Sequence, residues 1–517
     1  MFTDPKYGRI FLKTKQVELL ERCLPDMTER VDWKGHNIAV KHTIESTKVL
    51  RNLGVLAPSP IIYDYDWPGR HTPLKHQITT ADFLTLNRRC FVLNQMGTMK
   101  TASSLWAADF LMKQGMVNKA LIIAPLSTLE IVWADEIFNV IMHRTAVVLK
   151  GSAERRRELL AADVDFYIVN YEGLPIIQKD LAKRDDINLA IVDEAAAYRN
   201  HATARYEQLV SIIKPKMRLW LMTGTPTPNA PTDAWALARL IDKTKVPMYF
   251  STWRKETMQQ VSTHKWVPRV GSHRRVHEVL QPAIRFRKKD CIDLPPVTYL
   301  NRDVALSDEQ KKAFTRMKNY MVAEAKGEQI SAINAADKIG KLRQILCGAV
   351  RFPDTGEYLT LDHRARTDEL LDCIQQAASK VIVVVPFKGI TQSLYEDVSK
   401  HHTVEIVNGD VKATDRVKIW QRFKYEKDPR VTLCHPKVMA HGLNLAEADM
   451  LIFYAPIYSN EESEQVMERI NRPGQKLPMT IIRMGAHPLE WEIYRQVEGR
   501  RVTQESALDL YNRYIRS

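Results

Sequence analysis

Residues 91–101 read FVLNQMGTMKT. A buried apolar run enters a glycine turn, meets Lys100-Thr101, and passes into the helical pattern ASSLWAADFLMKQ before Gly115. This order of strand, tight turn and helix start decides the fold class. The first N–H groups of a helix have no partner within it, and the helix dipole is positive at that end, so such a turn is a ready cradle for phosphate. In that role Gly97 and Thr98 form the turn. Lys100 reaches the β- and γ-phosphates, and the Thr101 hydroxyl ligates Mg²⁺. The residue before the lysine is usually glycine in such loops, and here it is Met99. A β-carbon at that point resists a positive φ. Taken alone, the stretch reads equally well as a plain helix start.

Working outward, short apolar or β-branched runs recur at 89–94, 119–125, 164–170, 188–193 and 218–223, each followed by turn residues and a longer helical pattern. A second set begins at Lys380–Pro386 and continues through Thr403–Val407, Val431–Cys434, Met450–Tyr454 and Thr480–Met484. Strands alternating with helices predict an α/β fold with two parallel-sheet domains. Residues 306–346 read as a helical insertion ending near Gly348. Residues 1–70 lack the alternation and read as a small N-terminal accessory domain. The expected division is therefore 1–70, 71–299 and 300–517.

Two further strand ends carry chemistry. Residues 188–194 read NLAIVDE, placing Asp193 and Glu194 at the C-terminal edge of a strand, 93 positions after Lys100. In α/β sheets that edge is where ligands bind. Asp193 can hold Mg²⁺, and Glu194 can orient or deprotonate an attacking water. Residues 219–229, LWLMTGTPTPN, end a third strand in small residues that let a loop come close to a ligand.

Composition sets the outer bounds. The chain has 517 residues, of which 45% are apolar and 26% charged, and two to four domains are expected. No stretch approaches a membrane span, and the N-terminus MFTDPKYGRIFLKTK has no secretory pattern. Six cysteines stand without a CxxC pair, which argues against a disulfide scaffold or thiolate metal site and fits a reducing compartment. Lys and Arg outnumber Asp and Glu by 75 to 61, a net +14, and half of that excess lies in residues 254–290, with ten basic against three acidic residues. Trp266 and Phe286 interleave with those charges, as in a surface that tracks nucleic-acid phosphates. His273 and His277 lie four apart but lack a further metal ligand nearby.

In order and together, these segments resemble the SWI/SNF-type ATPases of helicase superfamily two over roughly residues 71–495. LKHQ with Gln77 resembles the adenine-reading glutamine motif. LIIAPLSTLEIVWADE (121–136), VNYEGL (169–174), TGTPTPNAPTDAWALARLI (223–241), RFRKKDCIDLPP (285–296) and QVMERINRPGQ (465–475) are similar to successive motifs of that family. The resemblance implies two tandem RecA-like lobes with ATP between them and duplex DNA across both. Lobe one would carry Gln77, Lys100, Thr101, Asp193 and Glu194. Gly442, Gln465, Arg469 and Arg472 would come from lobe two, the arginines lying three apart and so on one helix face. Ser127, Thr128, Arg287, Lys288 and Lys289 would contact DNA.

Three positions depart from the family pattern. Met99 replaces the loop glycine, Ala196 stands where the family has histidine, and HPKVMAHGLNL (435–445) has Met439 and Ala440 in place of glycines. The compact chain resembles bacterial or bacteriophage members. The expectation is a monomeric, cytoplasmic, DNA-stimulated and Mg²⁺-dependent ATPase that translocates on double-stranded DNA and remodels branched DNA or protein–DNA complexes. A strand-separating helicase and a non-catalytic DNA-binding clamp are the alternatives.

Overall fold

The computed structural model describes the chain except residues 5, 7, 228–229, 262–265, 292, 325–331, 352–356, 440–444, 473 and 500–517, and the side chains of 322–335 and 413. It divides into two compact units, Met1–Ile292 and Asp293–Ser517.

The first unit is built on a seven-stranded sheet. Its order is Ala283–Ile284, Arg89–Val92, Arg218–Met222, Ile187–Val192, Lys119–Ala124, Phe166–Asn170, Ala146–Val148, and every pairing is parallel. Both faces are covered, so the strands are apolar throughout and not alternating. Trp106, Trp133 and Trp220 pack on one face, and Tyr167, Tyr198 and Trp253 on the other. The five runs expected from sequence are all strands. Two short edge strands, Ala146–Val148 and Ala283–Ile284, were not expected.

Residues 2–41 form a separate antiparallel sheet of four strands, Phe2–Asp4, Arg9–Leu12, His36–Lys41 and Thr28–Trp33 in that order. Its inner face buries Ile10, Leu12, Ile38 and Val40 against Leu20, Leu24 and Leu50. The helix Ile44–Asn52 ties this small core to the large sheet. It opens with a capping box, in which the Thr43 hydroxyl accepts from the Ser46 N–H at 3.1 Å and the Ser46 hydroxyl from the Thr43 N–H at 3.0 Å. Leu50 belongs to the small core and Ile44 to the core around Trp220. Arg51 donates to Asp82 at 2.9 Å on the helix Lys75–Leu86.

The second unit has a six-stranded, all-parallel sheet: Val297–Asp303, Met479–Gly485, Ala448–Phe453, Lys380–Val384, Val431–Cys434, Val404–Val407. The expected strands are again present, and Val297–Asp303 is added at one edge. The expected helical insertion contains the helices Asp308–Glu324 and Ala332–Cys347. A fully buried ion pair, Arg366 to Glu490 at 2.6 Å, joins the helix Arg364–Gln376 to Pro488–Glu498.

Candidate nucleotide site and basic segment

At the C-terminal end of Arg89–Val92 the chain turns through Asn94–Met99 into the helix Lys100–Lys113. Gly97 has φ +80° and Met99 φ +55°. Met99 therefore takes the left-handed conformation for which glycine is favoured, at a cost of about 1–2 kcal/mol to a residue with a β-carbon. Neighbours hold it there. Gln77 Nε2 donates to the Met99 carbonyl at 3.4 Å, and His76 Nε2 donates to the Thr98 carbonyl at 3.0 Å. The Thr98 hydroxyl donates back to the Gln95 carbonyl at 2.7 Å. Gln77 thus braces the loop, and its Oε1 accepts the Leu74 N–H at 2.9 Å.

Lys100 is 9% exposed, and its ammonium nitrogen is buried with no hydrogen-bond partner. A buried ammonium without an acceptor is costly unless an anion completes it. Asp193 ends the strand Ile187–Val192 and is 8% exposed. Trp133 Nε1 donates to its Oδ2 at 3.1 Å, and the Glu194 N–H donates to Oδ1 at 3.0 Å. Burial, and then the Glu194 charge, push the Asp193 carboxyl above the ordinary carboxylate range, while the Lys100 charge pulls it back. Glu194 has φ +45°, a second left-handed residue without a glycine. The Tyr171 hydroxyl donates to the Asp193 carbonyl at 2.7 Å and fixes this turn. Thr225 N–H donates to the Thr223 hydroxyl at 3.3 Å, and a β-carbon on Gly224 would lie 3.5 Å from the Met96 nitrogen. The TGTP turn therefore lies against the loop at ordinary van der Waals distance.

An unsatisfied buried ammonium, a buried carboxylate and a helix N-terminus at one sheet edge fit a nucleotide polyphosphate and a divalent cation. Lys100 would take the phosphates, and Thr101 with Asp193 the metal. Trp133, Tyr171, His76, Asn94 and Gln95 were not expected as site residues from the sequence. His76 borders the Gln77 that was named, and Trp133 lies within the quoted LIIAPLSTLEIVWADE.

The basic segment threads past the same loop. The edge strand Ala283–Ile284 pairs with Phe91 and Val92, and the chain continues alongside the turn. The Phe286 N–H donates to Asn94 Oδ1 at 3.0 Å, the Gln95 N–H to the Phe286 carbonyl at 3.0 Å, and the Lys288 N–H to Gln95 Oε1 at 2.9 Å. Lys288 is in consequence buried, at 7% exposure. Of the three residues expected to contact DNA, Arg287 and Lys289 are exposed and Lys288 is buried, and Arg287 pairs with Asp290 at 2.6 Å. Elsewhere in this segment Arg254 lies over the Trp266 ring at 4.1 Å. Ser127 is exposed in the turn after Pro125, whereas Thr128 is buried and its hydroxyl donates to the Pro125 carbonyl at 2.9 Å.

In the second unit, Gln465 and Arg469 lie on the helix Asn460–Ile470, at 6% and 5% exposure. The helix stops at Ile470, with Asn471 at φ −82° and ψ 73° as its cap. Arg472 lies beyond it, so the two arginines do not share a helix face as their spacing suggested. Burial lowers the Arg472 guanidinium pKa, with Glu468 opposing. Gly442 lies outside the described residues. Ala196 is buried, and its carbonyl accepts from Arg199 Nη1 at 3.0 Å.

The SNF2-related domain matches residues 45–349, more than half of the chain. The chain belongs to this family. The helicase conserved C-terminal domain matches residues 364–474. Among similar proteins, the p41 protein of Acyrthosiphon pisum secondary endosymbiont phage 1 is 24% identical over 468 residues, covering 86% of this chain and 99% of that protein. The ISWI chromatin-remodeling complex ATPase ISW1 of Saccharomyces cerevisiae is 25% identical over 417 residues, covering 76% of this chain but 36% of that protein. Human chromodomain-helicase-DNA-binding protein 1 is 24% identical over 427 residues, covering 76% and 24%. The chain thus spans about a third or less of these two remodelling relatives. A solved structure of a Sulfolobus solfataricus SWI2/SNF2 ATPase core in complex with dsDNA aligns with TM-score 0.42 and 17% identity, covering 87% of this chain and 94% of that one. No described helix of this SNF2-related chain is long and apolar enough to cross a membrane.

Proposed function

We propose that this SNF2-related protein is a DNA-stimulated, Mg²⁺-dependent ATPase that translocates on double-stranded DNA and remodels branched DNA or protein–DNA complexes. One observation carries the reading: the buried, unpartnered Lys100 ammonium at a helix N-terminus, in electrostatic contact with the buried Asp193. Lys100 neutralises phosphate charge, and Glu194 orients the attacking water and takes up its proton. Gln77 braces the loop through the Met99 carbonyl and so sets where the phosphates lie. Magnesium, held by Thr101 and Asp193, would supply Lewis-acid neutralisation of the same charge. Arg469 and Arg472 add positive charge as the γ-phosphoryl group is transferred.

DNA enters the reading through Ser127, Arg287 and Lys289, which are exposed, together with the rest of the basic segment. Its contacts are to backbone phosphate, so binding is insensitive to base sequence. The names of the relatives, and the likeness to a phage protein, support a DNA-directed motor acting in a bacterial or phage-infected cell. ATP hydrolysis measured with and without duplex DNA tests the proposal, with Lys100→Ala as the paired variant. DNA-stimulated turnover that Lys100→Ala abolishes is expected. Normal turnover in Lys100→Ala would overturn the site, and no turnover in the native chain would favour a clamp. A strand-displacement assay separates translocation from unwinding.

A further inference from the structure

The N-terminal edge of the large sheet, opposite the phosphate loop, holds an unexplained charge. Arg218 begins the strand Arg218–Met222 and is 6% exposed. Its Nη1 is buried with no hydrogen-bond partner, and among the described residues no carboxylate lies within ion-pair distance of it. The fold treats other arginines differently. Arg89 donates to the carbonyls of Lys214, Met217 and Leu240, at 2.8, 3.4 and 3.4 Å. Arg51 reaches both Asp82 and the Ala57 carbonyl. Arg366, also buried, is paired with Glu490. Arg218 has no comparable arrangement, and a buried guanidinium left without an acceptor costs more than the usual hydrogen bond returns.

Two more cations converge there. Arg88 precedes the paired strand, and the Leu219 N–H donates to the Arg88 carbonyl at 2.8 Å, which places Arg88 beside Arg218 across the sheet. One guanidinium nitrogen of Arg88 donates to the Pro215 carbonyl, which leaves its charge without a carboxylate. Alternation along a strand puts Arg218 on the face of Trp220, and Arg88 on the face of Cys90 and Val92. All three of those apolar residues belong to one core cluster, which also contains Ile44 of the helix Ile44–Asn52. Lys48, one turn beyond Ile44, lies on the same side of that helix. It has neither ion pair nor hydrogen bond among the described residues, and burial followed by the charges of Arg218 and Arg88 lowers its pKa. Three cations are therefore gathered at the seam between the N-terminal domain and the first lobe. Among the described residues, the one opposing charge that acts on Lys48 is that of Glu45, the weakest of its influences.

We propose that Lys48, Arg88 and Arg218 form an anion site that takes a phosphoryl group, separate from the nucleotide site and on the opposite edge of the sheet. The guanidinium of Arg218 supplies planar, fork-shaped donors that match phosphate oxygens, and Lys48 supplies a point charge from the facing helix. Occupancy ties the helix Ile44–Asn52, and with it the N-terminal sheet, to the lobe that carries the phosphate loop. The phosphoryl group comes either from a nucleic-acid backbone or from a free phosphorylated compound.

The test uses the full chain in a Lys100→Ala background, so that the phosphate loop does not contribute. Inorganic phosphate and pyrophosphate are the probes, with chloride at matched ionic strength as the control. A saturable rise in Tm with either probe is expected. Lys48→Ala and Arg88→Ala remove partly exposed side chains and leave the fold in place; each is expected to weaken that response, and together to abolish it. Arg218→Met is expected to abolish the response while leaving Tm without phosphate unchanged or higher, because an unpartnered buried charge is gone. A phosphate response that persists in the Lys48→Ala, Arg88→Ala double variant overturns the proposal, as does the absence of any response above the chloride control. The source is settled with duplex DNA. If Lys48→Ala lowers the slope of log K against log salt by about 0.9, the phosphate is a DNA phosphate. An unchanged slope with phosphate binding retained in the parent assigns the site to a free phosphorylated compound.

Discussion

Met99 occupies the one position in the phosphate loop where backbone geometry and side-chain chemistry disagree. Its φ of +55° is held by the Gln77 contact to its carbonyl, a contact that does not depend on its side chain. Met99→Gly therefore keeps the brace and removes the clash. The relief of about 1–2 kcal/mol is partly offset by glycine's greater freedom in the unfolded chain, roughly 0.5–1 kcal/mol. The expected result is a nearly unchanged Tm with tighter ATP binding, read by titration calorimetry; weaker binding would show that the loop has come to use the methionine side chain. Asp193 supports a second prediction. Its pKa is raised by burial and by Glu194, so folding favours its protonated form. Its contribution to stability is present below the ordinary carboxylate pKa and is lost as pH rises through the raised one, so at neutral pH the ionised group costs stability. Trp133 Nε1–H opposes that shift by donating to the carboxylate. Trp133→Phe removes the donor and lets the pKa rise further. In the metal-free protein, the midpoint of the Asp193 carboxyl titration should move to higher pH, read by NMR. An unchanged midpoint would mean that the Trp133 hydrogen bond does not set the Asp193 ionisation.

At the scale of elements, the basic segment binds the loop through its backbone and faces solvent through a subset of its side chains. The sequence could not separate those two roles. Arg287, Lys288 and Lys289 are equivalent as a charge run, yet the Lys288 N–H is spent on Gln95 and its side chain is buried. The strand that leads there, Ala283–Ile284, is two residues long and carries no apolar period, so only its pairing with Phe91 and Val92 reveals it. The long strands were legible because both sheet faces are covered and demand unbroken apolar runs. The same logic made Lys100, Asp193 and Glu194 legible, since each stands where such a run ends. Asn94 and Gln95 were not legible, because a side-chain amide that satisfies a distant backbone group leaves no spacing pattern. Neutralising Arg287 and Lys289 together should therefore weaken duplex binding equally across sequences. The salt slope should fall by about 0.9 for each DNA phosphate that is no longer neutralised. Lys288→Ala should instead lower Tm, because it empties a buried position. A salt slope unchanged in the double variant would assign the exposed pair to bracing, away from DNA.

At the scale of the whole molecule, each unit has its own parallel sheet and its own core, and the residues proposed for turnover are divided between them. The first unit holds Lys100, Asp193 and Glu194, and the second holds Arg469 and Arg472. The two arginines are not equivalent. Arg469 is a buried helix residue whose carbonyl accepts from the Leu445 N–H at 3.0 Å, so Arg469→Ala is expected to lower Tm as well as turnover. Arg472 lies past the helix end and is itself partly buried, so Tm is read beside kcat for its variant as well. If Arg472 neutralises charge only as the phosphoryl group is transferred, Arg472→Ala lowers kcat by roughly 10³–10⁵-fold. ATP affinity and DNA affinity without nucleotide stay near the parent values, because neither ground state uses the arginine. Lysine restores little of the loss, since it lacks the planar fork. The deciding measurement pairs kcat at saturating DNA with nucleotide-free DNA affinity on one preparation. A collapse of DNA affinity with kcat preserved would make Arg472 a DNA-binding residue and would leave hydrolysis to the first unit and Arg469.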